Sequence, residues 1–151
     1  MRVRQGFTLV EILIVVVILG ILAAIVIPQF TEASTEAKLS SLCSDLQTAR
    51  SQIELYKVQH NDILPLPEVG GATWNRMTQY SDIAGTPNAT KTAVFCYGPY
   101  LQKVPINQFN DLDTIRVEAG GSTAGTNANG WTLQSDTGAL QADDTAAHAA
   151  L

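Results

Sequence analysis

Residues 7–28 read FTLVEILIVVVILGILAAIVIP, and from Ile12 to Ile27 no position carries a charged or strongly polar side chain. As a helix rising about 1.5 Å per residue the run is roughly 33 Å long, enough to cross a hydrocarbon core of about 30 Å. Ahead of it stand Arg2 and Arg4, with no acid before Glu11. By the positive-inside rule this basic head stays cytoplasmic and everything after Phe30 is exported. A secretory signal peptide starts the same way, but its apolar region is normally about 7 to 15 residues and ends in a small-residue site. Here the run is longer and continues past Ala23 and Ala24. A plain membrane anchor, in turn, has no use for Glu11, a carboxylate that costs roughly 3 kcal/mol at the bilayer centre and less near the interface.

The rest of the composition bounds the answer. With 151 residues, 46% hydrophobic and 15% charged, the chain is sized for one domain and too apolar to be disordered. A net charge of -5 has the wrong sign for clamping a phosphate backbone, so nucleic acid is excluded as the main partner.

The string Gly6-Phe7-Thr8-Leu9-Val10-Glu11, followed by the apolar run and by Ile27-Pro28-Gln29-Phe30, resembles the N-terminus of type IV pilins and of the pseudopilins of type II secretion. The resemblance covers about a fifth of the chain. It implies a six-residue leader, residues 1–6, cut between Gly6 and Phe7 by a membrane-embedded aspartyl prepilin peptidase that also N-methylates the new amine of Phe7. It implies further that Glu11 pairs with the Phe7 amine of a neighbouring subunit during assembly. The chemistry of these positions agrees. Gly6 lets a protease approach the backbone, and a carboxylate and an amine set just inside an apolar phase offset each other's desolvation. Pro28 has no N–H and its ring clashes with the carbonyl of Ala24, so a helix running through it kinks or partly opens. Gly20 and Pro28 bracket a segment of weak helix, which locally unwinds in filaments of the proteins it resembles.

Beyond Phe30 the sequence turns polar but has no Gly or Pro for thirty residues, and Leu39, Leu42, Leu46, Ala49, Ile53 and Tyr56 recur at steps of three and four. That is one apolar stripe on a continuing helix, which from Phe7 to about His60 is roughly 80 Å long. Residues 7–30 form its membrane and filament-core half and residues 31–60 its amphipathic half. Residues 61–151 are left to build a small globular domain. Asn61-Asp62 and Pro65-Leu66-Pro67 stop the helix, Gly70-Gly71 opens a loop, and Thr73 to Tyr80 reads as a short helix with Trp74 and Met77 on one side. Thr114 to Ala119 reads as a half-buried strand, and Trp131 to Gln134 with Ala139 to Gln141 as a hairpin turned at Asp136-Thr137-Gly138. The expected fold class is α+β and pilin-like, one long helix on a small antiparallel sheet of three strands.

The segment Gly98-Pro99-Tyr100-Leu101-Gln102-Lys103-Val104-Pro105-Ile106-Asn107 also resembles the stretch preceding the sheet in major pseudopilins. Where those relatives carry a calcium-binding loop near the C-terminus, this chain offers Asp136, Asp143 and Asp144 in a spacing that does not match. No cofactor is expected, and calcium lacks support. Cys43 and Cys96 are expected to form a disulfide in an exported domain, closing a loop of about 50 residues for roughly 3 to 4 kcal/mol. Two buried thiols are the alternative.

Catalysis finds no footing. His60 and His148 have no metal-ligand spacing with a cysteine, and the pairs Asp111 with Asp113 and Asp143 with Asp144 read as solvated loop carboxylates. An adhesin or DNA receptor is the other rival. Yet a Trp at the start of a strand is a core residue more often than a surface one, and no Lys or Arg follows Arg116. The expected function is therefore a structural subunit that polymerises through its N-terminal helix, as the major pseudopilin of a type II secretion system; the alternative is a type IV pilus subunit for adhesion, motility or DNA uptake. The implied partners are further copies of the chain, the prepilin peptidase, an inner-membrane platform with its ATPase, minor pilin-like subunits and, before assembly, membrane lipid. The implied location is the bacterial inner membrane, single-pass, with the C-terminal domain in the periplasm, and afterwards the filament.

Overall fold

The computed structural model describes residues 6–66, 74–119 and 125–151. Eight elements follow in order: α1 (Leu9–Gln59), α2 (Asn75–Thr78), β1 (Tyr80–Ser81), β2 (Pro87–Asn88), β3 (Ile115–Glu118), β4 (Trp131–Gln134), β5 (Leu140–Ala142) and α3 (Ala146–Ala149). The chain divides into two compact units, residues 1–38 and 39–151, so that Leu39–Gln59 of α1 belongs to the second.

In the first unit α1 is unbroken through Gly20 and Pro28. The opening expected there is absent from the single chain. Thr31 and Thr35 return their hydroxyls to the carbonyls of Ile27 (3.2 Å) and Thr31 (3.0 Å) four residues earlier, the usual place for a hydroxyl within a helix.

The second unit is organised by the stripe. Leu42, Leu46, Ala49, Ile53 and Tyr56 are buried, while Leu39, the first residue of the expected series, is only half-buried. Burying a large aliphatic side chain contributes about 1.5 to 3 kcal/mol, and the stripe shares one core with Trp74, Met77, Tyr100, Trp131, Leu133 and Leu140. The helix ends where Asn61 (φ 54°) and Asp62 (φ 62°) take left-handed backbone. The Asp62 N–H then reaches back to the Lys57 carbonyl at 2.9 Å, closing the C-terminus as such residues commonly do.

Between helix and main sheet, α2 is shorter than the expected Thr73 to Tyr80, and Tyr80 belongs to β1, which pairs with β2. Trp74 and Met77 are buried as the spacing required. Residues 67–73, including Pro67, Gly70, Gly71 and Thr73, lie outside the described residues.

The main sheet has the order β3-β4-β5. The β4–β5 hairpin is antiparallel, with Leu133 opposite Leu140, and its turn relies on Gly138 at φ 75°, a region that favours glycine. The expectation of three antiparallel strands is wrong for β3, which runs parallel to β4 with Ile115 opposite Trp131 and Glu118 opposite Gln134. Alternation of side chains carries no information on strand direction. The connection from Glu118 to Trp131 is long enough for the crossover that a parallel pair requires. The entry to β4 is held tightly: the Gly130 and Trp131 N–H groups both donate to the Thr114 carbonyl at 3.0 Å. A Cβ on Gly130 would come within 2.1 Å of the Leu112 carbonyl oxygen.

Burial also departs from simple alternation. β3 is half-buried at all four positions, and β4 buries Trp131, Thr132 and Leu133 in succession because it is the central strand. The Thr132 hydroxyl is buried with no hydrogen-bond partner among the described residues. Thr132→Val, which replaces that hydroxyl by a methyl of similar size, should therefore stabilise the fold by about 1 kcal/mol, whereas Leu133→Ala should cost about 2 to 5 kcal/mol. Urea melts of both variants followed by tryptophan fluorescence check the pair; a destabilised Thr132→Val would show that the hydroxyl has a partner.

Candidate functional site

The residues singled out for processing and assembly stand together at the start of α1. Residues 6–8 have no regular structure, and Gly6 and Phe7 are exposed, so the Gly6–Phe7 peptide bond lies outside the helix with open space around Gly6. Helix begins at Leu9. Thr8 caps it reciprocally with Glu11: the Thr8 N–H and hydroxyl donate to Glu11 Oε2 at 2.8 and 2.7 Å, and the Glu11 N–H donates to Thr8 Oγ1 at 3.3 Å. This is a capping box, and Thr-x-x-Glu before an apolar run was its signal in the sequence. Thr8 was the residue missed. Its effect is to give the Glu11 carboxylate two donors within its own chain, next to the partial positive charge of a helix N-terminus.

From Leu9 to Phe30 the helix carries an apolar surface with no cover in the chain itself. Leu9, Val10 and every large apolar residue from Ile12 to Ile27 are exposed, as is Phe30. A contiguous apolar sheath of this size is never left to water. The helix is long and apolar enough to cross a membrane.

In the C-terminal unit the side chains weighed for other roles are placed as follows. Both tryptophans are buried and bonded, Trp74 Nε1 to the Asp113 carbonyl at 2.8 Å and Trp131 Nε1 to the Pro105 carbonyl at 2.9 Å. Neither forms an exposed aromatic binding surface. His60 is buried, stacked on Tyr56 with ring centroids 3.9 Å apart. Its Nδ1 faces the Tyr56 carbonyl at 2.9 Å and its Nε2 the Ser81 hydroxyl at 3.0 Å; since a carbonyl only accepts, Nδ1 carries the proton. Burial pushes the neighbouring Tyr100 hydroxyl up to about 12. Cys43 and Cys96 are free and exposed. This corrects both the expected bond and the expectation of two buried thiols. Cys43 follows Leu42 directly, and the next residue along a helix turns away from a buried stripe.

Asp111 and Asp113 are exposed loop acids as expected, but Asp143 and Asp144 are buried. Sequence offers no mark of this, because the donors that hold Asp143 come from residues 125–129, many positions away. Burial pushes the Asp143 carboxyl up, but donors from Thr126, Asn129 and Gly125 together outweigh it and hold the group below the usual carboxylate range. The charged neighbours are Arg116, which is also paired with Glu118, and the adjoining Asp144, which contacts His148. Asp82 is lowered as well, chiefly by the Thr86 N–H. Among the described residues no group of three or more His, Cys, Asp or Glu is arranged to hold a metal.

With this geometry in view, comparison with known proteins points to one end of the chain above all. The family described as "Prokaryotic N-terminal methylation motif" matches residues 1–27. The chain is 42% identical to the type II secretion system core protein G of Pseudomonas aeruginosa over 59 residues, 39% of this chain and 42% of that protein. The protein of the same name from Vibrio cholerae aligns over 150 residues at 25% identity, 89% of this chain and 96% of the relative. A fimbrial protein of Pseudomonas aeruginosa is 34% identical over 80 residues, 53% of this chain and 48% of that protein. For the first of these relatives the chain thus spans about two fifths of its length. No solved structure is significantly similar to it.

The buried acids generate a prediction. A carboxyl lowered in the folded state contributes stability that is complete above its unfolded value of about 3.9 and is lost as pH falls through the folded value. Thermal melts should therefore decline steeply below about pH 4. Asp143→Asn should start lower at pH 7 and decline less over the same range, with Asp82 supplying the remaining slope. Parallel acid limbs for the two proteins would show that Asp143 titrates alike in the folded and unfolded chains.

Proposed function

We propose that this chain is the major, filament-forming pseudopilin of a type II secretion system, made as a precursor, processed between Gly6 and Phe7 and polymerised through its N-terminal helix. The observation that carries the reading is the contrast between the two units. The C-terminal unit buries its stripe from Leu42 to Tyr56, while the apolar sheath from Leu9 to Phe30 is bare on every side. Lipid covers such a sheath before assembly, and copies of the same helix cover it afterwards. Exchange between these two apolar surroundings is close to neutral, so packing and polar pairing supply the specificity. Glu11 is the polar group in position to do so, releasing its Thr8 donors for the Phe7 amine of a neighbour.

The methylation motif supports cleavage and N-methylation at Phe7 by a prepilin peptidase, and the apolar helix supports insertion in the inner membrane; the reading adds the C-terminal unit in the periplasm and extraction by an inner-membrane platform and its ATPase. Minor pilin-like subunits begin the filament. The role is structural, not catalytic. Gly20 and Pro28 bracket the part of α1 that opens on packing, a change reserved for the filament since the single chain is helical there. Three features favour a major secretion subunit over one at a filament tip. Glu11 is present, and at the tip it would have no amine ahead of it; the domain after the helix is small; and the segment Gly98–Asn107, whose Tyr100 and Leu101 donate to Met77 and whose Pro105 accepts from Trp131, resembles major pseudopilins more than long-pilus subunits. The match to a fimbrial protein over half the chain keeps a type IV pilus subunit as the second reading.

Intact-mass analysis of membrane-derived protein should show the loss of residues 1–6 and the gain of one methyl group. Glu11→Ala should be processed and inserted with a protease-resistant C-terminal unit but should yield no filaments; normal filament yield from this variant would remove Glu11 from assembly. Deletion of the whole chain separates the two readings. Substrates trapped in the periplasm identify a secretion subunit, whereas intact secretion with loss of surface fibres identifies a pilus subunit.

A further inference from the structure

Calcium is the ion that the resemblance to major pseudopilins brings to the C-terminal loop. It takes about six to eight oxygen ligands at about 2.3 to 2.6 Å. Glu118 precedes the loop and is held by Arg116 at 2.6 Å; three acids follow it, and each is already engaged. Asp136 is exposed in the hairpin turn, where its Oδ1 accepts from the Thr137 N–H at 2.9 Å. Asp144 Oδ1 accepts from the Asn107 amide at 2.9 Å, and its Oδ2 contacts His148 Nδ1.

Asp143 is the most enclosed, with a side chain wholly buried. Its Oδ1 accepts from the N–H groups of Gly125 at 2.9 Å and Thr126 at 3.0 Å, and its Oδ2 from the Asn129 N–H at 3.1 Å. The Thr126 hydroxyl lies 3.1 and 3.0 Å from the two oxygens, and an Arg116 guanidinium nitrogen lies 3.6 Å from Oδ1. What touches this carboxylate is the positive ends of N–H and O–H dipoles and the positive charge of Arg116, with Asp144 adjoining it in the chain. A divalent cation placed there would meet repulsion from all of these donors and would have to strip several of them to gain one ligand. The carbonyls beside it are also in use: that of Asp143 accepts from the Asn127 N–H and that of Gly130 from the Asn107 amide. The described residues around Asp143 do not fit calcium.

We propose that the C-terminal loop is a metal-free lock, in which the donors of residues 125–129 and Arg116 converge on Asp143 and fasten the loop to the sheet where the relatives named by the resemblance use calcium. Local backbone supports the arrangement. Gly125 has φ 87°, and a Cβ on it would come within 2.4 Å of the Ala146 nitrogen, so the loop can press against the start of α3 and aim its N–H at Asp143 only with glycine there. The lock belongs to the C-terminal unit and stands whether or not the chain polymerises.

The test uses the full processed chain in detergent micelles. Its two tryptophans, Trp74 and Trp131, both report on the C-terminal unit. Melts with 10 mM calcium chloride are compared with melts in chelator at equal ionic strength, and radioactive calcium retention is measured by equilibrium dialysis. A site of the weakest affinity usual for extracellular modules would raise Tm by about 3 °C or more at that concentration. A smaller change with no ion retained upholds the proposal; a rise of about 3 °C or more, or retention near one ion per chain, overturns it. Asp143→Ala should lower Tm by about 8 °C or more. Should that variant fail to fold, Thr126→Val decides: removal of one hydroxyl donor should lower Tm by about 4 °C, and an unmoved Tm would overturn the lock.

Discussion

One constraint shapes the molecule: apolar surface on a helix has to be covered, and α1 solves this in two ways along its length. Over its C-terminal part the apolar residues fall on one stripe, Leu42 to Tyr56, narrow enough for ninety residues or so of chain to cover. Over its N-terminal part they occupy every side, and no single small domain could wrap them. The stripe therefore yields a fold and the sheath yields a demand for other molecules. The main sheet, the α2 segment and the Gly98–Asn107 stretch all exist to satisfy the stripe.

Two carboxylates in apolar settings are managed by a common device. Glu11, in the sheath, collects the N–H and hydroxyl of Thr8; Asp143, in the domain, collects N–H groups from a distant loop and a nearby guanidinium. In each case local donors replace water and offset the cost of removing a charge from it. The difference is in permanence. The Thr8 bonds join two exposed residues at a helix start and can be traded for an amine, whereas the Asp143 cage is closed on all sides and cannot be exchanged without opening the fold.

What could be read in the sequence was whatever lay in contiguous chain. The sheath, the stripe, the helix stop at Asn61-Asp62 and the hairpin at Asp136-Thr137-Gly138 are patterns of neighbours, and the structure has each of them. The capping box is equally local, Thr8 and Glu11 standing three residues apart. The direction of β3 was hidden, since side-chain alternation is the same in parallel and antiparallel pairs. Asp143 and Asp144 carry no mark of burial in the sequence, where acid pairs in turn-like chain are usually solvated, since their donors, Gly125, Thr126, Asn129 and Asn107, approach from elsewhere in the chain. The exposure of Cys43 follows from its place one residue past Leu42 on the helix, a geometric fact that spacing alone contains.

The parallel β3 also has a consequence for crowding. It is an outer strand of its sheet, with β4 as its one strand neighbour among the described residues, and so presents an edge to which another chain could add. In a polymer each subunit holds its neighbours at a local concentration far above that of free protein, where open edges invite strand exchange and jammed fibres. β3 carries Arg116 and Glu118 on this short strand, ion-paired to each other at one end of the sheet. Charged side chains on a four-residue edge make it a poor template for strand addition by another copy of the chain.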